Sequence, residues 1–225
     1  MPAETALRPL KSGLLSAQVI TTLRTAIFSG QLVPGQPLRE LHLARDLGVS
    51  QATIREALGQ LERFGLVVRT PNIGTQVTRL SWQEVRERVE LRVLLEERAL
   101  VQAAPRMNTA TFEALDARLD ALTDAIGRND YFEEAQADLA FHRFIWEQSG
   151  NRTLYHTLDQ LAVPLFAFVS ILRGAHREKL TDVVQSHEGI AQALRNGDPS
   201  VIRDALRQHF DDGFSIPNAI PGEPR

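Results

Sequence analysis

Residues 40–77 read ELHLARDLGVSQATIREALGQLERFGLVVRTPNIGTQV, and this stretch decides the first half of the fold. Glu40 to Leu47 predicts a short helix. Gly48-Val49-Ser50 follows, where the glycine permits a tight turn and Ser50 is a natural N-cap for a helix running to about Arg63. Two helices joined this tightly make a helix-turn-helix pattern. After Gly65, Leu66-Val67-Val68-Arg69 predicts a strand, Pro71-Asn72-Ile73-Gly74 a turn, and Thr75-Gln76-Val77 a second strand. The hairpin would form a wing beside the helices. Upstream, a helix-like run from about Leu15 to Phe28 ends at Ser29-Gly30, and Pro34-Gly35 marks a turn.

From Trp82 onward no strand is convincing. Candidate helices cover about 82–103, 109–127, 130–148, 151–172, 176–195 and 199–213, separated by Asn- and Gly-rich breaks such as Asn129-Asp130 and Gly150-Asn151. Pro164 falls inside the fourth and is expected to kink or split it. The expected fold is mainly α: an N-terminal arm (1–14), a winged helix-turn-helix (15–78), a C-terminal all-helical bundle (79–215) and a disordered, proline-rich tail (216–225).

A chain of 225 residues with 43% hydrophobic content can bury one large core or two small ones. No run approaches the ~18 apolar residues of a membrane span, and the N-terminus lacks the apolar segment of a secretory signal, so a cytoplasmic protein is expected. With no cysteine, disulfides and thiolate ligands are excluded, and any metal must sit on nitrogen and oxygen. The net charge of −3 hides an asymmetry. Residues 1–80 carry nine Lys and Arg against five Asp and Glu (+4), and the remainder sixteen against twenty-three (−7). A basic module joined to an acidic one suits a nucleic-acid-binding part beside a part that avoids nucleic acid.

The bundle carries a pattern of its own. At 100° per residue, Asp138 and His142 share a face with Tyr131, Ala135, Ile145 and Trp146, opposite Glu133, Gln136, Arg143 and Glu147. His187 falls in the arc of Leu180, Val183, Val184, Ile190, Ala191 and Leu194, and His209 in that of Ile202, Ala205, Leu206 and Ile216. A buried carboxylate is costly unless paired or metal-bound, and three imidazoles with one carboxylate suit a divalent transition metal, zinc first, with nickel, manganese or iron compatible. The plainer alternative is an Asp138–His142 hydrogen bond one turn apart, with each other histidine bonded to a backbone carbonyl.

A helix-turn-helix lays its second helix in the major groove of double-stranded DNA, with the N-terminal residues nearest the base edges. Those residues are Ser50, Gln51, Ala52, Thr53 and Arg55. Gln51 suits adenine, Thr53 offers a hydroxyl and a methyl, and Arg55 suits guanine or phosphate. Arg39 at the start of the preceding helix and Gly74 at the wing tip complete the expected DNA-facing set, the glycine letting backbone approach a groove. Alternatively, Arg55 pairs with a neighbouring carboxylate, or the winged helix serves protein contact.

The run from Leu38 to Val77 resembles the winged-helix domain of GntR-family bacterial transcription regulators, whose framework LAxxLGVSxxxxREALxxLExxGLV it nearly completes. Downstream, RVLLEERALVQAA, DLAFHRFI, SHEGI and RQHF resemble segments of the FCD ligand-binding domain of the FadR subfamily. The resemblance implies a dimeric repressor or activator whose helical domain holds a metal through Asp138, His142, His187 and His209 and binds a small carboxylic acid, with Arg92 at the effector-binding position. Arg92 also lies on the apolar stripe of Val85, Val89, Leu95, Ala99 and Ala103, where its fork could take a carboxylate or pair with Glu96 one turn on. The chain departs from the family pattern at Gln51, where many relatives have arginine, at Thr53, where they have proline, and at Leu41, often arginine.

The leading expectation is therefore a ligand-responsive, homodimeric regulator with a DNA operator and a small carboxylate effector, and not an enzyme. Two alternatives stand beside it. A metal-dependent hydrolase would use the same ligand set but needs a positioned base that nothing in the sequence supplies. A purely structural metal would close the bundle without sensing anything.

Overall fold

The computed structural model describes residues 13–176 and 181–213. The N-terminal arm up to residue 12, the tail 216–225, and the stripe residues Leu180 and Ile216 lie outside them. The chain divides into two compact units, Met1–Arg79 and Leu80–Arg225.

In the first unit, α1 (Gly13–Phe28), α2 (Glu40–Leu47) and α3 (Gln51–Arg63) accompany a three-stranded sheet of β1 (Pro37–Leu38), β2 (Val67–Thr70) and β3 (Gly74–Val77) in the order β1-β3-β2. All pairings are antiparallel, with Leu38 opposite Thr75 and Val67 opposite Val77. Strand β1 was not expected. Two residues beginning with proline carry no alternation to read, and a proline is tolerated there because β1 is an edge. Gly48 closes α2 in the left-handed region at φ 64°, its amide bonding back to the helix carbonyls. The core gathers Val19, Leu23 and Ile27 of α1 with Ile54, Ala57, Leu58 and Leu61 of α3, all buried. That apolar face of α3 fixes which residues are left outside.

The second unit is helical: α4 (Trp82–Ala103), a 3-10 turn (Ala104–Arg106), α5 (Thr109–Gly127), α6 (Tyr131–Gln148), α7 (Arg152–His176), α8 (Thr181–Asn196) and α9 (Pro199–Gly213). Sequence signals place the starts. Ser81 and Glu84 form a capping box on α4, Asn108 and Thr111 another on α5, and Asp130 caps α6 through Phe132 and Glu133. Leu100, Leu115, Phe141, Ile145, Ile190, Leu194, Ile202 and Leu206 form the main core.

Pro164 does not split its helix, because α7 runs unbroken from Arg152 to His176. The missing proline N–H would orphan the Gln160 carbonyl four residues back. Arg88 of α4 fills that place, its Nη1 donating to the carbonyls of Gln160 and Leu161 at 3.3 Å each. Within α7, Arg152–Leu172 is long and apolar enough to cross a membrane by length and composition, contrary to the expectation from the sequence, and 56% of it is buried. Packed against α4 and α6, this is the composition a central bundle helix needs.

Candidate functional site

Two places carry the expected residues. In the first unit, Ser50 caps α3 by accepting from Thr53 N at 3.1 Å, and the two hydroxyls lie 2.8 Å apart. Both hydroxyls are thus engaged in starting the helix. Gln51, Ala52, Arg55 and Glu56 form its exposed face, opposite the buried Ile54, Ala57 and Leu58. Arg39 is exposed at the N-cap of α2, and Gly74 is exposed beside the wing turn at φ 103°.

Glu40 of α2, not anticipated from the sequence, organises this face. Its carboxylate accepts from Gln51 Nε2 at 3.1 Å and Arg55 Nη2 at 2.9 Å, with Arg69 Nη2 at 4.0 Å. The hydrogen bond from Arg55 leads in holding the Glu40 carboxyl below the usual carboxylate range. Arg55 therefore has the carboxylate partner weighed as an alternative, yet its side chain stays 59% exposed. Arg55 Nε donates to the same carboxylate at 3.2 Å, so the pair is bidentate and holds the guanidinium in one orientation on the exposed face.

In the second unit, α6, α8 and α9 bring His142, His187 and His209 together, each offering a ring nitrogen within 4.8 Å of the others. All three are buried. Asp138, one turn before His142, has Oδ1 3.0 Å from His187 Nε2 and 3.3 Å from His142 Nε2. The outer nitrogens are tied. His187 Nδ1 donates to the Val183 carbonyl at 2.6 Å. Ser186 Oγ gives its one proton to the same carbonyl at 3.0 Å, leaving a lone pair for His209 Nδ1 at 3.1 Å. His142 Nδ1 faces Glu96 Oε2 at 2.9 Å. These contacts direct the Nε2 lone pairs inward, as metal-ligating histidines require.

Two neutral imidazole Nε2 atoms then face one carboxylate oxygen, which is acceptor against acceptor. Either buried protons or a single cation must stand between them. Separations of 3.0 and 3.3 Å suit either a hydrogen bond or two donors that would share one divalent ion. Where protons rather than an ion fill that place, burial opposes ionisation of Asp138, but the charge of His187 and hydrogen bonds from His142 and His187 outweigh it and hold its carboxyl well below the usual range. Burial, then the charges of His187 and His142, push His209 well below the usual imidazole range, so it stays neutral.

Arg92 is buried and paired through Nε with Glu96 Oε1, the i,i+4 partner considered above. Glu96 is fully buried and touches both Arg92 and His142. Burial opposes its ionisation, yet the Arg92 guanidinium and His142 hold its carboxyl below the usual range. It therefore links the expected effector arginine to an expected metal ligand. The signal was present as a stripe position seven residues from Val89 and Ala103, but a glutamate beside an arginine reads first as a surface pair. Phe166 and Phe210 flank the guanidinium at 4.6 and 5.0 Å from its carbon to the ring centroids.

A winged helix joined to a helical unit with an inward-facing histidine cluster is the arrangement expected of a DNA-binding regulator with a sensing domain. Comparison with known families agrees in both halves. Residues 15–77 match the bacterial regulatory proteins of the gntR family and residues 87–212 match the FCD domain. The chain belongs to the GntR family of transcriptional regulators and carries an FCD domain.

Among curated proteins it is 29% identical over 195 residues to the "Probable D-xylose utilization operon transcriptional repressor" of Paenarthrobacter nicotinovorans, covering 87% of this chain and 85% of that one. It is 25% identical over 207 residues to the gluconate operon transcriptional repressor of Bacillus subtilis, covering 90% and 85%. Among solved structures, McbR/YncC of E. coli aligns with TM-score 0.77 at 23% identity, over 90% of this chain and 96% of that one. A GntR-type regulator from Rhodococcus sp. RHA1 aligns with TM-score 0.71 at 22% identity, over 88% and 94%. At those identities the structures speak for the fold alone. The chain is thus a DNA-binding transcriptional regulator and not an enzyme.

Proposed function

We propose that this chain is a cytoplasmic, homodimeric operator-binding repressor whose helical unit holds one divalent metal on Asp138, His142, His187 and His209 and senses a small carboxylic acid. The observation that carries the metal is the pair of inward Nε2 atoms set against one buried Asp138 oxygen. Zinc suits the nitrogen-rich donor set first, with nickel, manganese or iron on the same atoms. When bound, such an ion supplies a Lewis-acidic anchor for a carboxylate oxygen. Arg92, seated between Phe166 and Phe210, would orient that carboxylate with its fork.

One relative is named for a gluconate operon, and gluconate is a sugar acid, which supports a hydroxyacid of that kind as effector; another is named for use of D-xylose, a neutral sugar. Repression is supported by the same names. Arg39, Gln51, Arg55 and Gly74 would meet DNA, with Ser50 and Thr53 building the start of the helix that enters the groove. A symmetric dimer would set two recognition helices into half-sites about one turn apart. An effector changes operator affinity only if it prefers one dimer arrangement, because equal affinity for both shifts nothing.

A second reading has support of its own. Glu96 already neutralises Arg92, which suits a metal that closes the bundle and senses no acid. The test is to incubate the full chain with fragmented genomic DNA at stated salt, sequence what is retained, and then titrate a panel of sugar acids against the recovered site. Recovery of a palindrome released by one acid supports sensing. Recovery with no response to any acid leaves the structural metal, and retention of nothing above background defeats the operator reading.

A further inference from the structure

Away from the histidine cluster, the end of the bundle holds an open cleft of about 580 Å³ between the C-terminal part of α4, the 3-10 turn and the α6–α7 junction. Arg98, Arg106 and Arg152 line it, one from each of these three places. Among the described residues no carboxylate lines it, and none of the three guanidiniums has a hydrogen-bond or ion-pair partner. The surroundings are acidic overall. The unit from Leu80 onward has a net charge of −7 (sixteen basic against twenty-three acidic residues), and Arg195, Arg203 and Arg143 there each pair with a carboxylate.

The cleft is built around one glycine. Gly150 sits at φ 67°, and a Cβ added there would overlap the end of the Arg106 side chain, which would have to leave its present place across the turn. Gln102 also lines the cleft, and its side-chain oxygen is buried without a partner. Arg98 lies 200° around α4 from Glu96, on the opposite face, so the cleft shares no residue with the interior site.

We infer that this cleft is a second ligand site, for a small organic phosphate bearing a hydroxyl. Three guanidiniums with no acid among them exceed what one carboxylate can use. A phosphate group, with about −1.5 to −2 charge and three acceptor oxygens, matches them, and the arginine fork takes its oxygens two at a time. The side-chain amide of Gln102, which also lines the cleft, offers an acceptor and donors of the kind a hydroxyl of the same molecule takes. The volume lies in the range of about 300–1,000 Å³ usual for metabolite pockets.

The test is calorimetric titration of the full chain with inorganic phosphate and with glycerol phosphate at fixed ionic strength. Saturable binding is expected, weakened at least tenfold by Arg106→Gln with Arg152→Gln, and weakened by Gly150→Ala, which changes no charge. Glycerol phosphate should bind more tightly than inorganic phosphate, and Gln102→Ala should remove that difference. No saturable binding, or binding that the cleft arginines do not affect, overturns the proposal. So does binding that chelation or Arg92→Gln abolishes while the Arg106 and Arg152 variants retain it, since the anion would then occupy the interior.

Discussion

His187 and His209 owe their roles to a backbone atom. The Val183 carbonyl accepts from His187 Nδ1 directly and from Ser186 Oγ, which in turn accepts from His209 Nδ1, so one carbonyl sets both tautomers. His187→Ala with His209→Ala should reduce bound metal from one ion per chain to less than a tenth, read by elemental analysis of the purified protein. Full occupancy in the double variant would remove the site from these residues. Protons compete with a metal for imidazole nitrogens, so occupancy should fall as pH drops through and below the usual imidazole range near 6.5. Burial and its neighbours hold His209 well below that range, so it keeps its lone pair to lower pH. At the other unit, Arg55→Ala should weaken operator binding by about 1–3 kcal/mol, some 5- to 150-fold, in a band-shift titration. An unchanged affinity would mean that the Glu40 pair is the whole purpose of Arg55.

At the scale of elements, α7 shows a proline rescued from a neighbouring helix. Arg88→Ala should cost about 1 kcal/mol because the Gln160 carbonyl loses its donor, lowering Tm by roughly 2–4 °C. In a Pro164→Ala background the helix supplies its own N–H to that carbonyl, so the same substitution should cost much less. Equal losses in both backgrounds would contradict the assignment. This element also marks the limit of the sequence. Helix ends set by caps were legible: Ser81 with Glu84, Asn108 with Thr111 and Asp130 announce α4, α5 and α6 locally. The inward positions of Asp138, His142, His187 and His209 were legible too, because periodicity assigns a face. What the sequence hid were contacts between distant residues: Arg88 with Gln160, Glu40 with Arg55 and Gln51, Glu96 with His142, and the short β1, whose partner β3 lies almost forty residues on. No local pattern encodes which side chains meet across a fold.

At the scale of the whole molecule, the basic first unit and the acidic second unit suit the proposed division of work, with phosphate contacts on one side and a buried ion and an acid on the other. Operator affinity should fall steeply with salt, since each neutralised phosphate contributes about −0.9 to the slope of log affinity against log salt. The account stands most directly on one comparison. The recovered operator is titrated with wild-type protein and with the His187→Ala, His209→Ala variant, each with and without the carboxylic acid that the panel of sugar acids identifies. A shift in operator affinity of tenfold or more on adding the acid to wild type, absent in the variant while its acid-free affinity is retained, is the predicted result. An equal response from both proteins would contradict a metal-held sensor in the helical unit.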